Sequence, residues 1–288
     1  MRPAFGLALF PDPRFLRLAR RAIEEEAELF ELSPETLWRD AGTPEPAARE
    51  GLLELVRRAG RPVVAHGLMA CLAEPDLPLA VARSWEARLR ADQTDFGFAG
   101  WSEHLAFAGA GGRVGALPLP LPDLPAAVAV AAARLRRLAE VTGVPAACEN
   151  VAAPFRLCAP AREPELLNEV AAAADCDVVL DLHNAWVSER TGGLPLADWL
   201  EAVDLGRVVE LHLAGGQESD PAWLPSGRSL LLDSHDAPVP PAVWAALERA
   251  LPRCPRLRAV VLERHPDSLD PERLAAWEGD VRRARGLL

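Results

Sequence analysis

Residues 177–216 read DVVLDLHNAWVSERTGGLPLADWLEAVDLGRVVELHLAGG. Two apolar runs, DVVLDLHN (177–184) and RVVELHLAGG (207–216), flank a segment of helical period over 196–203. Each run is nearly continuous in Val and Leu, the pattern of a strand covered on both faces. Strand, helical crossover and strand at this spacing predict a parallel pair joined by a right-handed connection. Both runs also end in a histidine beside a carboxylate, where a parallel strand delivers side chains to a common site.

The same unit recurs in both directions along the chain. FGLALF (5–10) precedes a helix predicted over 14–27, LFELSPE (29–35) one over 46–59, and PVVAHG (62–67) one over 79–91. FGFAGWSEHLAF (96–107) leads through a proline-rich loop, LPLPLPDLP (117–125), to a helix over 126–141. PAACENV (145–151) precedes a helix over 163–174. A long loop holding DSHDAPVP (233–240) follows residue 216 and leads to a helix over 241–251. RAVVLERH (258–265) and a helix over 271–285 close the chain. Eight such units in 288 residues predict one α/β domain, 1–288, folded as a (β/α)8 barrel of the triosephosphate isomerase type. The active site of such a barrel lies at the C-terminal ends of its strands.

Composition narrows the chemistry. A net charge of −11 and a pI near 5.1 oppose binding to nucleic acid or an anionic membrane. No long apolar run marks a membrane span or a signal peptide, which predicts a cytoplasmic protein. Five cysteines (71, 148, 158, 176 and 254) form no CxxC pair, so zinc ribbons and disulfide scaffolds are poor readings. The chain has no lysine and no tyrosine. That removes Schiff-base chemistry, the Walker A lysine and a tyrosine acid or base. No GxGxxG fingerprint appears either.

The histidines carry the functional reading. All six sit in short motifs, and five of these carry carboxylates: SEHLAF (His104), DLHN (His183), ELHLAGG (His212), DSHD (His235) and VLERH (His265); the sixth, VVAHG (His66), ends an apolar run. Nine residues fall at successive strand ends or the loop after the seventh strand: His66, His104, Glu149, Asp181, Asn184, His212, Asp233, His235 and Glu263. Nine exceed the needs of one catalytic ion, which takes three or four protein ligands, and suit two or three ions sharing carboxylates. Imidazole and carboxylate without thiolate select iron(II), manganese(II) or zinc(II). Neighbouring polar residues have other readings. Alternation turns Glu103 away from His104, Glu31 and Glu35 read as solvated loop carboxylates, and Asn150 reads as a backbone partner at a strand end. His183 shares the Asp181 face only if the strand continues that far.

In order along the chain, HG (66–67), SEHLAF (102–107), EN (149–150), D-x-x-N (181–184), HLAG (212–215), D-x-H (233–235) and LE (262–263) resemble the DUF692, or UPF0276, family. These are multinuclear non-heme iron-dependent oxidative enzymes that modify ribosomally made peptides. The resemblance runs from Phe5 to His265 and implies a xylose-isomerase-like barrel with two or three irons at its mouth. By motif position, His66, His104 and Glu149 would hold one iron, and Glu149 would bridge to a second held by Asp181, His212 and Glu263. Asn184, Asp233 and His235 would hold a third. Glu149, Asp181, His212 and Glu263 thereby stand as the catalytic set. The family implies dioxygen as oxidant, a cysteine-containing precursor peptide as substrate, and a small partner protein that presents the peptide leader.

Two motifs depart from the family pattern. Glu263-Arg264-His265 stands where Glu-x-Asp is usual, and Gly216 stands where HLAG is followed by a second histidine. Either His265 supplies an imidazole near that position, or the metal occupancy or peptide pocket differs. Two competing readings share the ligands. One is a redox-neutral isomerase or phosphodiester hydrolase using zinc or manganese, for which Arg156 and Arg264 are the obvious phosphate anchors. The other is a non-catalytic metal- or partner-binding module.

Overall fold

The computed structural model describes residues 2–38, 46–68, 78–110, 113–152 and 155–288; Cys71 lies outside them. Its strands are β1 (Ala4–Leu9), β2 (Leu29–Leu32), β3 (Val63–Gly67), β4 (Trp101–His104), β5 (Ala106–Ala110), β6 (Arg113–Pro120), β7 (Ala146–Glu149), β8 (Asp177–Asp181), β9 (Val208–Leu213) and β10 (Ala259–Leu262). Eight of them close a wholly parallel barrel in the order β1-β10-β9-β8-β7-β4-β3-β2. β5 and β6 form a separate antiparallel pair above β4. The expected α/β barrel is therefore the observed fold.

Alternation along the strands separates two apolar regions. Phe5, Leu7, Phe30, Leu32, Leu211, Leu213, Val260 and Leu262 face the helices in the main core. Ala8, Leu29, Ala259 and Val261 fill the barrel lumen with Ala4 and Val64 packed on them. The lumen is tight: a Cβ on Gly6 would stand 2.8 Å from Val261 Cγ2. Continuing upward, the lumen-facing positions change character. Val64 gives way to His66, Leu29 to Glu31, and Val261 to Glu263, so ionisable groups replace apolar ones toward the strands' C-terminal ends.

The helices are α1 (Pro13–Leu18), α2 (Pro46–Ala59), α3 (Leu79–Phe96), α4 (Pro125–Thr142), α5 (Arg162–Ala174), α6 (Leu182–Arg190), α7 (Leu196–Ala202), α8 (Pro241–Ala250) and α9 (Pro271–Leu287). Their ends follow local rules. α9 starts at Pro271 behind Asp270, whose side chain accepts from the Glu272 and Arg273 amides. α4 ends on Gly143 at φ 74°, where a left-handed residue closes the last turn.

Four local expectations are corrected. The helix predicted over 14–27 is α1 followed by a π-helical turn at Ala22–Glu26. FELSPE continues into a 3-10 turn, Pro34–Leu37, instead of a solvated loop. Residues 117–120 of the expected proline loop belong to β6; with Leu119 opposite Phe107, Pro118 and Pro120 are tolerated in a strand of a two-stranded pair. DVVLDLHN splits, because Asp181 caps α6 by accepting from Asn184 N at 2.7 Å. The capped turn removes Leu182, His183 and Asn184 from the strand.

Candidate metal centre

The barrel's C-terminal mouth gathers all nine expected ligands. Glu149, the last residue of β7, is fully buried and stands between the imidazoles of His66 and His104 and that of His212. Its Oε2 lies 3.2 Å from His66 Nε2 and 3.2 Å from His104 Nε2, and its Oε1 lies 3.0 Å from His212 Nδ1. Glu263, just past β10, places Oε2 3.6 Å from His212 Nδ1 and 3.8 Å from His235 Nε2. Asp181 falls within ligand range of Glu149 and His212 on one side and of His235 and Glu263 on the other. Asp233 Oδ1 lies 2.8 Å from His235 Nε2 and 2.9 Å from His183 Nδ1.

The Asp233 contacts are hydrogen bonds, but those around Glu149 and Glu263 do not all close as such. His66 Nδ1 lies 2.8 Å from Ser102 Oγ, and that hydroxyl donates to Ala65 O at 3.3 Å. Ser102 must then accept from Nδ1–H, which leaves a lone pair on His66 Nε2 aimed at a carboxylate oxygen. Glu149 Oε2, His212 Nδ1, Asn184 Oδ1 and His183 Nε2 are likewise buried without a formed hydrogen bond. Converging lone pairs need a cation between them. Two adjacent ligand atoms roughly 2.1 Å from one ion stand roughly 3.0–3.4 Å apart, from a right angle to a tetrahedral one, and the 3.0–3.2 Å contacts of Glu149 fall in that range.

The electrostatics agree. Among the described residues, every ion-pair partner of Glu31, Glu149, Asp233 and Glu263 is a histidine. Burial pushes the carboxyls of Glu149, Asp181 and Glu263 above their ordinary range. Burial also holds His66 well below 6.5 and His104 down at about 4, keeping both imidazoles neutral, as metal ligation requires. For His212 burial acts downward, but Glu31, Glu263 and Glu149 outweigh it and raise the imidazole well above 6.5. For His235 burial again acts downward while Asp233 and Glu263 raise it, so without an ion the cluster balances its charge with protons on these imidazoles and on the raised carboxyls.

Supporting contacts fix the ligands. Asn150 brackets Asp181, accepting from its amide at 2.9 Å and donating to its carbonyl at 2.9 Å, as the backbone reading expected. Asn184 Nδ2 donates to Asn150 O at 3.1 Å, and its Oδ1 is buried without a hydrogen bond. His235 sits at φ 50°, a left-handed conformation uncommon for histidine. The His265 amide secures it by donating to His235 O at 2.8 Å.

Some sequence expectations change here. Glu31 is not solvated: it is 2% exposed and lies 3.1 Å from His212 Nε2. Glu35 is buried too, and its Oε1 accepts from Leu68 N at 3.2 Å. Glu103 is buried on the outward face, against Gly67, as alternation predicted. His183 is fully buried and joins the Asp233–His235 group from the first turn of α6. His265 contributes its backbone only; its imidazole is exposed near Phe10. Glu210 was missed, although its place two residues before His212 on β9 puts both on the lumen face. Its Oε1 lies 3.1 Å from His212 Nε2, and burial pushes it up to about 7.

The chain matches the family described as RiPP precursor modification enzyme MbnB/TglH/ChrH over residues 13–285. The chain belongs to this family. The resemblance carried by the seven motifs is thereby borne out, and the protein is a barrel-fold member of a family of peptide-modifying enzymes. Relatives called UPF0276 protein include one from Rhizorhabdus wittichii, 33% identical over 212 residues (73% of this chain, 71% of the relative). Another, from Caulobacter vibrioides, is 34% identical over 227 residues (78% and 76%). Solved structures share the fold. D-psicose 3-epimerase from Clostridium cellulolyticum H10 aligns with a TM-score of 0.61 at 12% identity, covering 99% of this chain and 96% of that one. Endonuclease IV from Thermus thermophilus aligns at 0.56 and 21% (98% of each chain). A xylose isomerase-like TIM barrel protein from Mycobacterium smegmatis, in complex with magnesium, aligns at 0.57 and 14% (100% and 98%).

Proposed function

We propose that this protein is an iron-dependent enzyme that uses dioxygen to oxidise a cysteine of a ribosomally made precursor peptide. The observation that carries the reading is Glu149, whose Oε2 faces the imidazoles of His66 and His104 and whose Oε1 faces that of His212. A carboxylate so placed joins two cations. His66, His104 and Glu149 would hold one ion, and Glu149, Asp181, His212 and Glu263 a second. Asn184, Asp233 and His235 would hold a third, with His183 beside them. Imidazole and carboxylate donors suit iron(II). Bound iron supplies the redox chemistry that couples dioxygen to oxidation at the carbon beside a substrate sulfur.

The remaining work falls to the chain itself. His212 is fully buried, whereas the Asp233 and His235 side chains are 26% and 21% exposed, so substrate approaches from the Asp233–His235 side. The loops beyond β3, β7 and β9 carry the exposed apolar side chains Leu68, Phe155, Leu157 and Trp223, which suit a peptide better than a sugar. A small partner protein that holds the peptide leader completes the reading. With no tyrosine or lysine in the chain, protons at the reacting centre move through His, Asp and Glu. A phosphate substrate finds no anchor in the two expected arginines. Arg156 is engaged by Glu163, Ser188 O and Thr191, and Arg264 is buried with a contact to Ser268 O.

Elemental analysis of anaerobically purified protein tests this first, followed by oxygen uptake with a cysteine-containing precursor peptide and its serine counterpart. Two or three irons per chain and uptake only with the cysteine peptide are expected. Zinc or manganese with little iron, after growth in iron-rich medium, would sink the proposal.

A further inference from the structure

Two further carboxyls, Glu31 and Glu210, reach His212, and Glu31 stands within ligand range of both His212 and Glu263. His212 Nε2 points away from Glu149, 3.1 Å from Glu31 Oε2 and 3.1 Å from Glu210 Oε1. Glu31 comes from β2 and Glu210 from β9, so they reach the imidazole from different arcs of the barrel. All three residues are buried, at 2%, 7% and 0% exposure.

This arrangement dictates which imidazole nitrogen is free. Nε2 meets Glu210 Oε1 at hydrogen-bond distance, with Glu31 Oε2 beside it and otherwise without a partner, so Nε2 is the nitrogen that carries the proton. Nδ1 then presents its lone pair to Glu149 and Glu263. Resting on the metal reading of the cluster, we infer that Glu31 and Glu210 are positioning residues that lock His212 as an Nδ1 ligand of the second ion. A buried carboxylate pair is costly without such a role, since among the described residues its only ion-pair partner is this imidazole. Carboxylates that orient metal-bound histidines raise ligand basicity and hold ring orientation, and losing one weakens metal binding by about 10–100-fold.

Cobalt(II) titration of metal-free full-length protein, followed by its absorption bands, reads the effect without turnover. Glu210→Ala should weaken the site containing His212 by about 10–100-fold while the His66–His104–Glu149 site keeps its affinity. Glu210→Gln, whose amide oxygen still accepts from Nε2–H, should restore most of the loss. Glu31→Gln should give a smaller loss. In zinc-loaded protein labelled with 15N-histidine, the His212 ring should show Nδ1 metallated and Nε2 protonated. Metallation at Nε2, or unchanged cobalt affinity in both Glu210→Ala and Glu31→Ala, overturns the assignment. Failure of the unmodified protein to take up cobalt would instead overturn the metal reading of the whole cluster, and the positioning role with it. Loss of folding in the alanine variants, judged by circular dichroism, leaves the 15N measurement on unmodified protein to decide.

Discussion

Glu149 and His212, at the C-terminal ends of β7 and β9, face each other at 3.0 Å between Oε1 and Nδ1. The other carboxylate oxygen of Glu149 is already turned to His66 and His104. One side chain therefore ties the two halves of the cluster together.

Glu149→Gln removes that shared charge while keeping size and shape. It should lose bound metal and activity together, with affinity falling by more than the about 10–100-fold typical of an outer contact. Elemental analysis of the purified variant checks this, and full metal content would refute the bridging role.

Glu103 is the matched control. It is one residue from His104 and equally buried, yet it lies on the outward face against Gly67. Glu103→Gln should keep its full metal complement. Loss of metal would show that β4 presents the opposite face.

Gly216 occupies the place where the family pattern carries a histidine, and a Cβ there would stand 1.8 Å from Leu232 O. Gly216→Ala should destabilise the fold by about 1–3 kcal/mol, read as a lower Tm. Because Leu232 precedes Asp233, metal content should fall as well.

Asp280 gives a pH dependence away from the centre. Burial raises its carboxyl from an ordinary 3.8 to about 6, against the hydrogen bond from Val239 N. The folded chain thus binds this proton more tightly than the unfolded chain, so its contribution to stability falls as pH rises from 3.8 to 6. Asp280→Asn should leave Tm unchanged near pH 3.5 and raise it at pH 8, by about 1 kcal/mol after solvent screening. Paired thermal melts at the two pH values decide it.

Chelation should lower Tm of the loaded protein toward that of the metal-free form. An ion present at 100 times its Kd contributes about 2.7 kcal/mol. Melts with and without chelator, repeated after adding back iron(II), give the measurement; an unchanged Tm would mean that no ion is linked to folding.

The sequence by itself determined the barrel and its working end. Near-continuous apolar runs such as DVVL and RVVE, separated by helical segments, leave few alternatives to parallel strands with crossovers. Alternation of side chains also settled that Glu103 turns outward from His104. Local capping and long-range approach were harder to read. Asp181 was legible as a strand end, but not that its carboxylate accepts the Asn184 amide and turns the chain into α6, which carries His183 into the site. Glu31 looked solvated because its distance from His212 in the sequence hides their 3.1 Å approach across the lumen. Periodicity reports which face a residue takes. Only closure of the barrel decides which residues from different strands share that interior, and so which nitrogen of His212 is left to bind.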